Sequence, residues 1–271
     1  MITREPISYP PPRNRVAQMG RKTMYYCREL GQGGLLLLDA FWNMRFALTK
    51  RARREIVNQM YVAGIKSLGV VTVVAVFTGM ILALQTGIAL RDYNQEVYIG
   101  GAVMVSMLRE MGPFMTGQIL AACVGSAIAA QLGTMVVSEE VAALEIMSIN
   151  PVRFLVMPRL VAMIIMTPLL SFYTCMMGVL GGGIVGATQL GVSWSAYIDN
   201  GTTNAELKDL YVGLFKAILF GIIITIVACH QGFATQQGAV GVGRATRQAV
   251  IVAFLLILVV GYFVTRFCYI S

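Results

Sequence analysis

The sequence predicts an all-α polytopic membrane protein: an N-terminal interfacial helix, about five transmembrane helices and a short cytoplasmic helix. Three observations predict it. Charged residues make up 13% of the chain against 57% hydrophobic, about half the charge of an ordinary soluble domain. The apolar residues gather in runs without Asp, Glu, Lys or Arg: Leu68–Leu90, Met111–Ser138, Leu160–Ile198, Ala217–Gly243 and Gln248–Thr265. Each approaches or exceeds the roughly 20 residues that carry a helix across the hydrocarbon core. Finally, the net charge of +8 is lopsided, with twelve of the 21 Lys and Arg before residue 67. Cytoplasmic loops carry such an excess, so the charge is an orientation signal and not a nucleic-acid footprint. The N-terminus is expected inside and the C-terminus outside.

Residues 1–33 read as a polar cytoplasmic segment with a Tyr-Pro-Pro-Pro turn at Tyr9–Pro12. No cleavable signal peptide is expected there, because the stretch is polar and basic well beyond the usual n-region. Residues 34–271 form one membrane domain. Its first element, 34–54, carries Leu35–Leu38, Phe41, Trp42 and Phe46 before Lys50, Arg51, Arg53 and Arg54. It is too short to span, and its aromatic and basic flank suits a helix lying in the headgroup plane.

Spans are expected at about 68–90, 113–137, 161–187, 210–234 and 248–267. The apolar stretch 97–137 is roughly twice the bilayer core in length as a helix. It must break or extend beyond the membrane, and the break is expected at Gly112-Pro113, since proline lacks the amide donor and crowds the preceding turn. Just before it stand Arg109 and Glu110. Adjacent helical residues point about 100° apart and cannot simply pair with each other. Each needs a headgroup, water, or a residue on another helix or subunit, and intramembrane charges of this kind mark a site or pathway.

Small residues recur at every fourth position in two spans: Gly117, Ala121, Gly125, Ala129 and Gly133, then Gly178, Gly182 and Gly186. This spacing lets helix backbones approach closely, and it implies a homodimer or a tight helical core. Between these spans lies SEEVAALEIMSINP, from Ser138 to Pro151. Ser138 is the expected N-cap, and Glu139 and Glu140 favour the positive end of the helix dipole. Val141, Leu144 and Met147 share one face, with Glu145 beside it. A short amphipathic cytoplasmic helix suits insertion into a partner's groove.

Other features carry no chemistry. The five cysteines are scattered without a CxxC pair, and no metal site is expected. His230, the only histidine, reads as an interfacial residue. The glycine-rich stretch Gly238–Thr246 lacks the Gly-Lys-[Ser/Thr] ending of a phosphate loop, so any ATP drive must come from another chain.

The runs LREMGPFMTG, GSAIAAQLGTM and SEEVAALEIMSINPVRFLVMPRLVA, followed by LYVGLFKAILFGIIITIVACHQG and GAVGVGRATRQAV, resemble the MlaE (YrbE) permeases of lipid-transporting ABC systems. The resemblance covers roughly residues 60–266. It implies an inner-membrane permease homodimer with two cytoplasmic ATPase subunits, which bind the ATP, and a periplasmic MCE-domain lipid-binding partner. Its cargo would be phospholipid or a related lipid. It further implies that Glu139–Asn150 is the coupling helix meeting the ATPase, and that Arg109 and Glu110 lie near the lipid cavity. Two positions depart from the family pattern: Cys123 stands where arginine is common, and Gln131 where glutamate is. The residues by themselves leave two other readings, a proton-coupled secondary transporter using Glu110 and a membrane scaffold without transport.

Overall fold

The computed structural model describes residues 31, 33–40, 42, 50–93, 95–236 and 238–270, and every regular element among them is helical. Eight helices are named here: α1 (Lys50–Ala63), α2 (Leu68–Arg91), α3 (Glu96–Val137), α4 (Glu140–Ile146), α5 (Met157–Gln189), α6 (Trp194–Asn204), α7 (Leu207–Phe233) and α8 (Gly238–Ile270). Five helical stretches are long and apolar enough to cross a membrane: the one containing α2, then α3, the one containing α5, α7 and α8. A bilayer cannot hydrogen-bond exposed peptide groups, so each crossing must satisfy its backbone internally, as a helix does.

The expected polar segment 1–33, apart from residues 31 and 33, and residues 41 and 43–49 of the interfacial helix lie outside the described residues. Within them, residues 33–40 are helical, and Leu36 and Ala40 are buried in the main core. The basic residues at 50–54 open α1. That helix packs on α5 and leads through a tight turn at Ile65–Ser67 into α2.

Helices α2, α5 and α7 pack in sequence, with α3 against α7 and α8. The crossing of α2 over α5 shows why small residues are needed. Val71, Ala75, Gly79, Ala83 and Gly87 form the buried edge of α2, and a Cβ on Gly79 would overlap the backbone carbonyl of Gly178. The α3 stripe is likewise spent inside the molecule: Gly117 faces Phe220 and Ile257, Gly125 faces Ile224, and Gly133 faces Thr235. Of the two uses expected for these stripes, the structure displays the tight helical core. Hydroxyls bridge helices beside the close contacts, with Thr72 to Tyr173 and Thr116 to Thr174 both at 2.8 Å. In lipid such hydrogen bonds hold helices together where no hydrophobic drive exists.

The bundle has two distinct ends. At one, α4 links α3 to α5, and the α7–α8 turn sits beside Gly133. At the other, α6 packs on α3 around a smaller core of Ile99, Val103, Met107 and the fully buried Tyr197.

Two expectations are corrected. The chain does not break at Gly112-Pro113: α3 continues through it by widening to a π-turn at Met107–Met111, and again at Ala121–Gly125. A widened turn admits an extra residue, which relieves the crowding that proline causes in a regular helix. The last span, expected from about 248, starts earlier, with the glycine-rich stretch 238–246 forming the first turns of α8. Gly238 takes the positive φ of +64° and the helix begins there.

Gly79→Ala should therefore cost more than 1 kcal/mol, as overpacking commonly does. Gly243→Ala, on α8 with nothing within 4 Å of the added methyl, should be neutral or stabilise by up to about 1 kcal/mol through helix propensity. Thermal unfolding of the two variants in the same detergent checks the contrast, which equal melting temperatures would contradict.

Candidate functional site

The site is assembled on the first π-turn of α3. In a regular helix the amide of residue 113 would donate to the carbonyl of Arg109, but residue 113 is proline and has no amide hydrogen. A buried carbonyl without a donor is costly. Here the donor comes from another helix: Lys216 Nζ on α7 reaches the Arg109 carbonyl at 2.9 Å. The same ammonium donates to Glu110 Oε1 at 2.7 Å and to Thr265 Oγ1 at 2.8 Å. Thr265 in turn donates to Glu110 Oε1 at 2.6 Å. A lysine has three protons to give, and Lys216 gives all three, although its side chain is only 1% exposed. A buried charge survives when it is paired and hydrogen-bonded in this way.

Arg109 is held by a second carboxylate on the same helix. Its Nε and Nη2 lie 2.9 and 2.8 Å from Asp209 Oδ1. Asp209 belongs to the capping box that opens α7, where its side chain accepts from the Glu206 amide. Tyr269, near the end of α8, donates to Asp209 Oδ1 at 2.5 Å, and its ring lies 4.1 Å beneath the Arg109 guanidinium. Lys208 Nζ also sits 5.0 Å from that ring. Such a contact adds a cation–π attraction to the ion pair.

Room for this meeting comes from Gly213, one turn of α7 between the two acidic and basic partners. A Cβ there would overlap the carbonyl of Leu108. The result is two ion pairs joining α3 to α7, both tied to α8, at the end of the bundle away from α4. Their shielding is uneven. Asp209 and Lys216 are buried, while the side chains of Arg109 and Glu110 are 36% and 39% exposed. The cluster therefore offers a guanidinium and a carboxylate side by side on its open face, each anchored from behind.

The sequence placed Arg109 and Glu110 together and required a partner for each; the partner is a residue on another helix in both cases. Asp209, Thr265 and Tyr269 were missed. Lys216 lies at the edge of the apolar run 217–243, and nothing in its spacing ties it to Glu110. The π-turn provides the register that makes this pairing possible.

At the other end, Glu140–Ile146 forms α4. Ser138 is not its N-cap. The serine hydroxyl donates back to the Thr134 carbonyl at 3.0 Å, and Glu139, in the left-handed conformation at φ 59°, begins the helix. The assumed docking face is corrected as well. Val141 and Leu144 turn inward and pack on the main core, because so short a helix must bury something to be held in place. The outward apolar residues are Ile146, 85% exposed, and Met147, 60% exposed; Glu139, Glu140 and Glu145 are exposed beside them. Gln131 accepts a hydrogen bond from Arg159 Nη2 at 3.2 Å, whereas Cys123 is exposed on α3. The two departing positions therefore do not contact each other as a pair.

Comparison with known proteins gives one consistent result. The family model described as Permease MlaE matches residues 56–267. A probable ABC transporter permease protein of Rickettsia typhi is 40% identical over 211 residues, covering 78% of this chain and 82% of the relative. A similar protein of Rickettsia conorii is 38% identical over 259 residues, with 93% and 97% covered. The intermembrane phospholipid transport system permease protein MlaE of Haemophilus influenzae is 30% identical over 260 residues, with 93% and 96% covered.

If the two ion pairs act as pairs, Glu110→Lys should destabilise the protein by about 3 kcal/mol, because it leaves the buried Lys216 facing a like charge. Adding Lys216→Glu should recover at least half of that loss, as coupled neighbours do in a double-mutant cycle. Unfolding of the two singles and the double in detergent tests it. Strict additivity would mean that the pair contributes no coupling.

Proposed function

We propose a role for this chain, which belongs to the MlaE permease family: it is the membrane subunit of an ATP-binding-cassette transporter that moves phospholipid or a related lipid. The observation that carries the reading is the Arg109–Asp209 and Glu110–Lys216 arrangement, within a chain similar along most of its length to a phospholipid-transport permease. Phospholipid headgroups bear a phosphate, and zwitterionic ones also bear an ammonium. A half-exposed guanidinium beside a half-exposed carboxylate complements both charges. Because Asp209 and Lys216 hold the two groups from behind, a headgroup could exchange contacts with them without leaving either buried partner unpaired.

In this proposal the chain works as a homodimer in the inner membrane, with its N-terminus cytoplasmic and its C-terminus periplasmic. Lipid occupies a cavity between two copies and passes to or from a periplasmic MCE-domain carrier. ATP is bound by separate cytoplasmic ATPase subunits, which engage α4. The family membership favours this over a proton-coupled carrier or a scaffold. Docking falls to Ile146 and Met147, since buried apolar contacts at an interface centre dominate affinity. The three glutamates of α4 set approach and register, as rim charges do.

The decisive test is ATP-dependent transfer of a fluorescent phospholipid by the full chain, reconstituted in proteoliposomes with its ATPase and carrier. Glu110→Lys should lower transfer at least tenfold while the ATPase still co-purifies. Undiminished transfer would remove the cluster from the cargo path, and transfer unaffected by ATP but abolished by collapsing a proton gradient would favour the carrier reading.

Docking and orientation are tested separately. Ile146→Asp should abolish co-purification of the ATPase with little change in melting temperature, because that residue is already largely exposed in its own chain. Leu144→Asp should unfold or destabilise the chain itself. In a cysteine-depleted background, cysteines at Ala142 and Thr202 should react with an impermeant maleimide from opposite sides of the membrane; labelling from one side would overturn the five-span orientation.

A further inference from the structure

We infer that the α4 end of the bundle carries a second lipid site, built for one anionic phospholipid and separate from the Arg109–Glu110 cluster. A cavity of about 630 Å³ lies between residues 33–37, α7 and α8. That is well inside the range of small-molecule sites, roughly 300–1,000 Å³. Its walls change character along the membrane normal, and both helices change in the same order. Toward the helix ends it is lined by Gln231 and Gln236 from the α7 side, and by Arg244 and Gln248 of α8. One to two turns deeper, the lining is Ile223 and Val227 of α7, then Val252 and Leu256 of α8. Leu37 closes the third side.

A polar mouth above an apolar floor matches a molecule with a polar head and a hydrocarbon tail, lying parallel to the helices. The charge complement selects among such molecules. Arg244 lines the mouth, and among the described residues no acidic side chain lines the cavity, so a net negative head is favoured over a zwitterion. An arginine donates paired hydrogen bonds to a phosphate oxygen fork, and the glutamines beside it offer amide donors to glycerol or ester oxygens. The small residues of the wall admit this occupant: Gly33 and Gly34 add no side chain, and a Cβ on either would meet open space. The residues that build the mouth, Arg244 above all, take no part in the two ion pairs of the opposite end. A lipid there would brace the 33–40 helix against the α7–α8 turn.

The test uses purified full-length protein in zwitterionic micelles with a phosphatidylglycerol carrying a diazirine in one acyl chain, followed by mapping of the cross-linked peptides. Adducts are expected around Val227 and Val252. Arg244→Gln, an exposed position that leaves the fold intact by its melting temperature, should weaken that adduct about tenfold, the loss of one charge-assisted hydrogen bond. A matching phosphatidylcholine probe should label it less, and millimolar inorganic phosphate should not compete. Adducts near residue 110 report the cargo cluster, so the two sites fail or succeed independently. The inference is overturned if no adduct forms around Val227 and Val252, or if Arg244→Gln leaves it unchanged. It is overturned equally if the two lipids label alike, or if inorganic phosphate displaces the probe and marks the mouth as a plain anion site.

Discussion

One missing amide hydrogen organises the end of the bundle opposite α4. Pro113 cannot donate to the Arg109 carbonyl, and in a membrane no water is at hand to do so. The helix answers with a π-turn, and Lys216 of α7 donates to that carbonyl at 2.9 Å. Once the ammonium is committed there, its other protons bind Glu110 and Thr265, and α8 is tied in. The π-turn also sets the register in which Arg109 reaches Asp209. A backbone defect, two ion pairs and a three-helix junction thus share one physical origin. The same pattern recurs at lower stakes ahead of Pro158, where a π-turn at Val152–Val156 precedes α5.

The cluster is affordable because the rest of the bundle is so closely packed. Buried charge brings a desolvation cost that good geometry must offset, and good geometry needs helices that do not drift. Gly79 against Gly178, and Gly213 against Leu108, set backbones in near contact, leaving little room for sliding. Dispersion contacts at that range are individually small and collectively large. Burial at the cluster is graded as well: Asp209 and Lys216 sit in the packed layer, while Arg109 and Glu110 project from it. Stability and accessibility are thereby divided between the two members of each pair.

Much of this was legible in the sequence because membrane insertion depends on composition and length. Five apolar runs, the fourfold small-residue stripes and the isolated Arg109–Glu110 pair all follow from the cost of polar groups in hydrocarbon. The misreadings share a different cause. Local propensity disfavours helix at Gly112-Pro113 and in the glycine-rich stretch 238–246, yet both are helical; tertiary packing and, at the proline, the extra residue of the π-turn override it. Val141 and Leu144 were taken as an outward face because periodicity identifies an apolar side without saying which neighbour covers it. Asp209, Thr265 and Tyr269 stayed hidden because pairing across helices depends on crossing geometry, which has no local signature. The resemblance to MlaE permeases located the cluster from one helix only.

Position 131 shows how far a single substitution is determined by its surroundings. The family pattern leads one to expect a glutamate there and an arginine at 123, and losing both would be nearly neutral if they formed one pair. The structure separates them. Gln131 meets Arg159, which is 6% exposed, while Cys123 lies exposed farther along α3. Glutamine can accept the one hydrogen bond at 3.2 Å but brings no compensating charge, and Arg159 Nη1 has no hydrogen-bond partner among the described residues. The two positions are therefore separate in the fold, each with its own surroundings. At 123 the change removes a charge from an exposed face of α3. At 131 it leaves a buried guanidinium at the α4 end satisfied in part by a neutral group, and a half-satisfied polar contact is weaker than either a full ion pair or an apolar packing. The Arg109–Glu110 cluster is saturated and the Arg159 contact is not, so of the two ends the one at α4 has less holding its polar interior in a single arrangement.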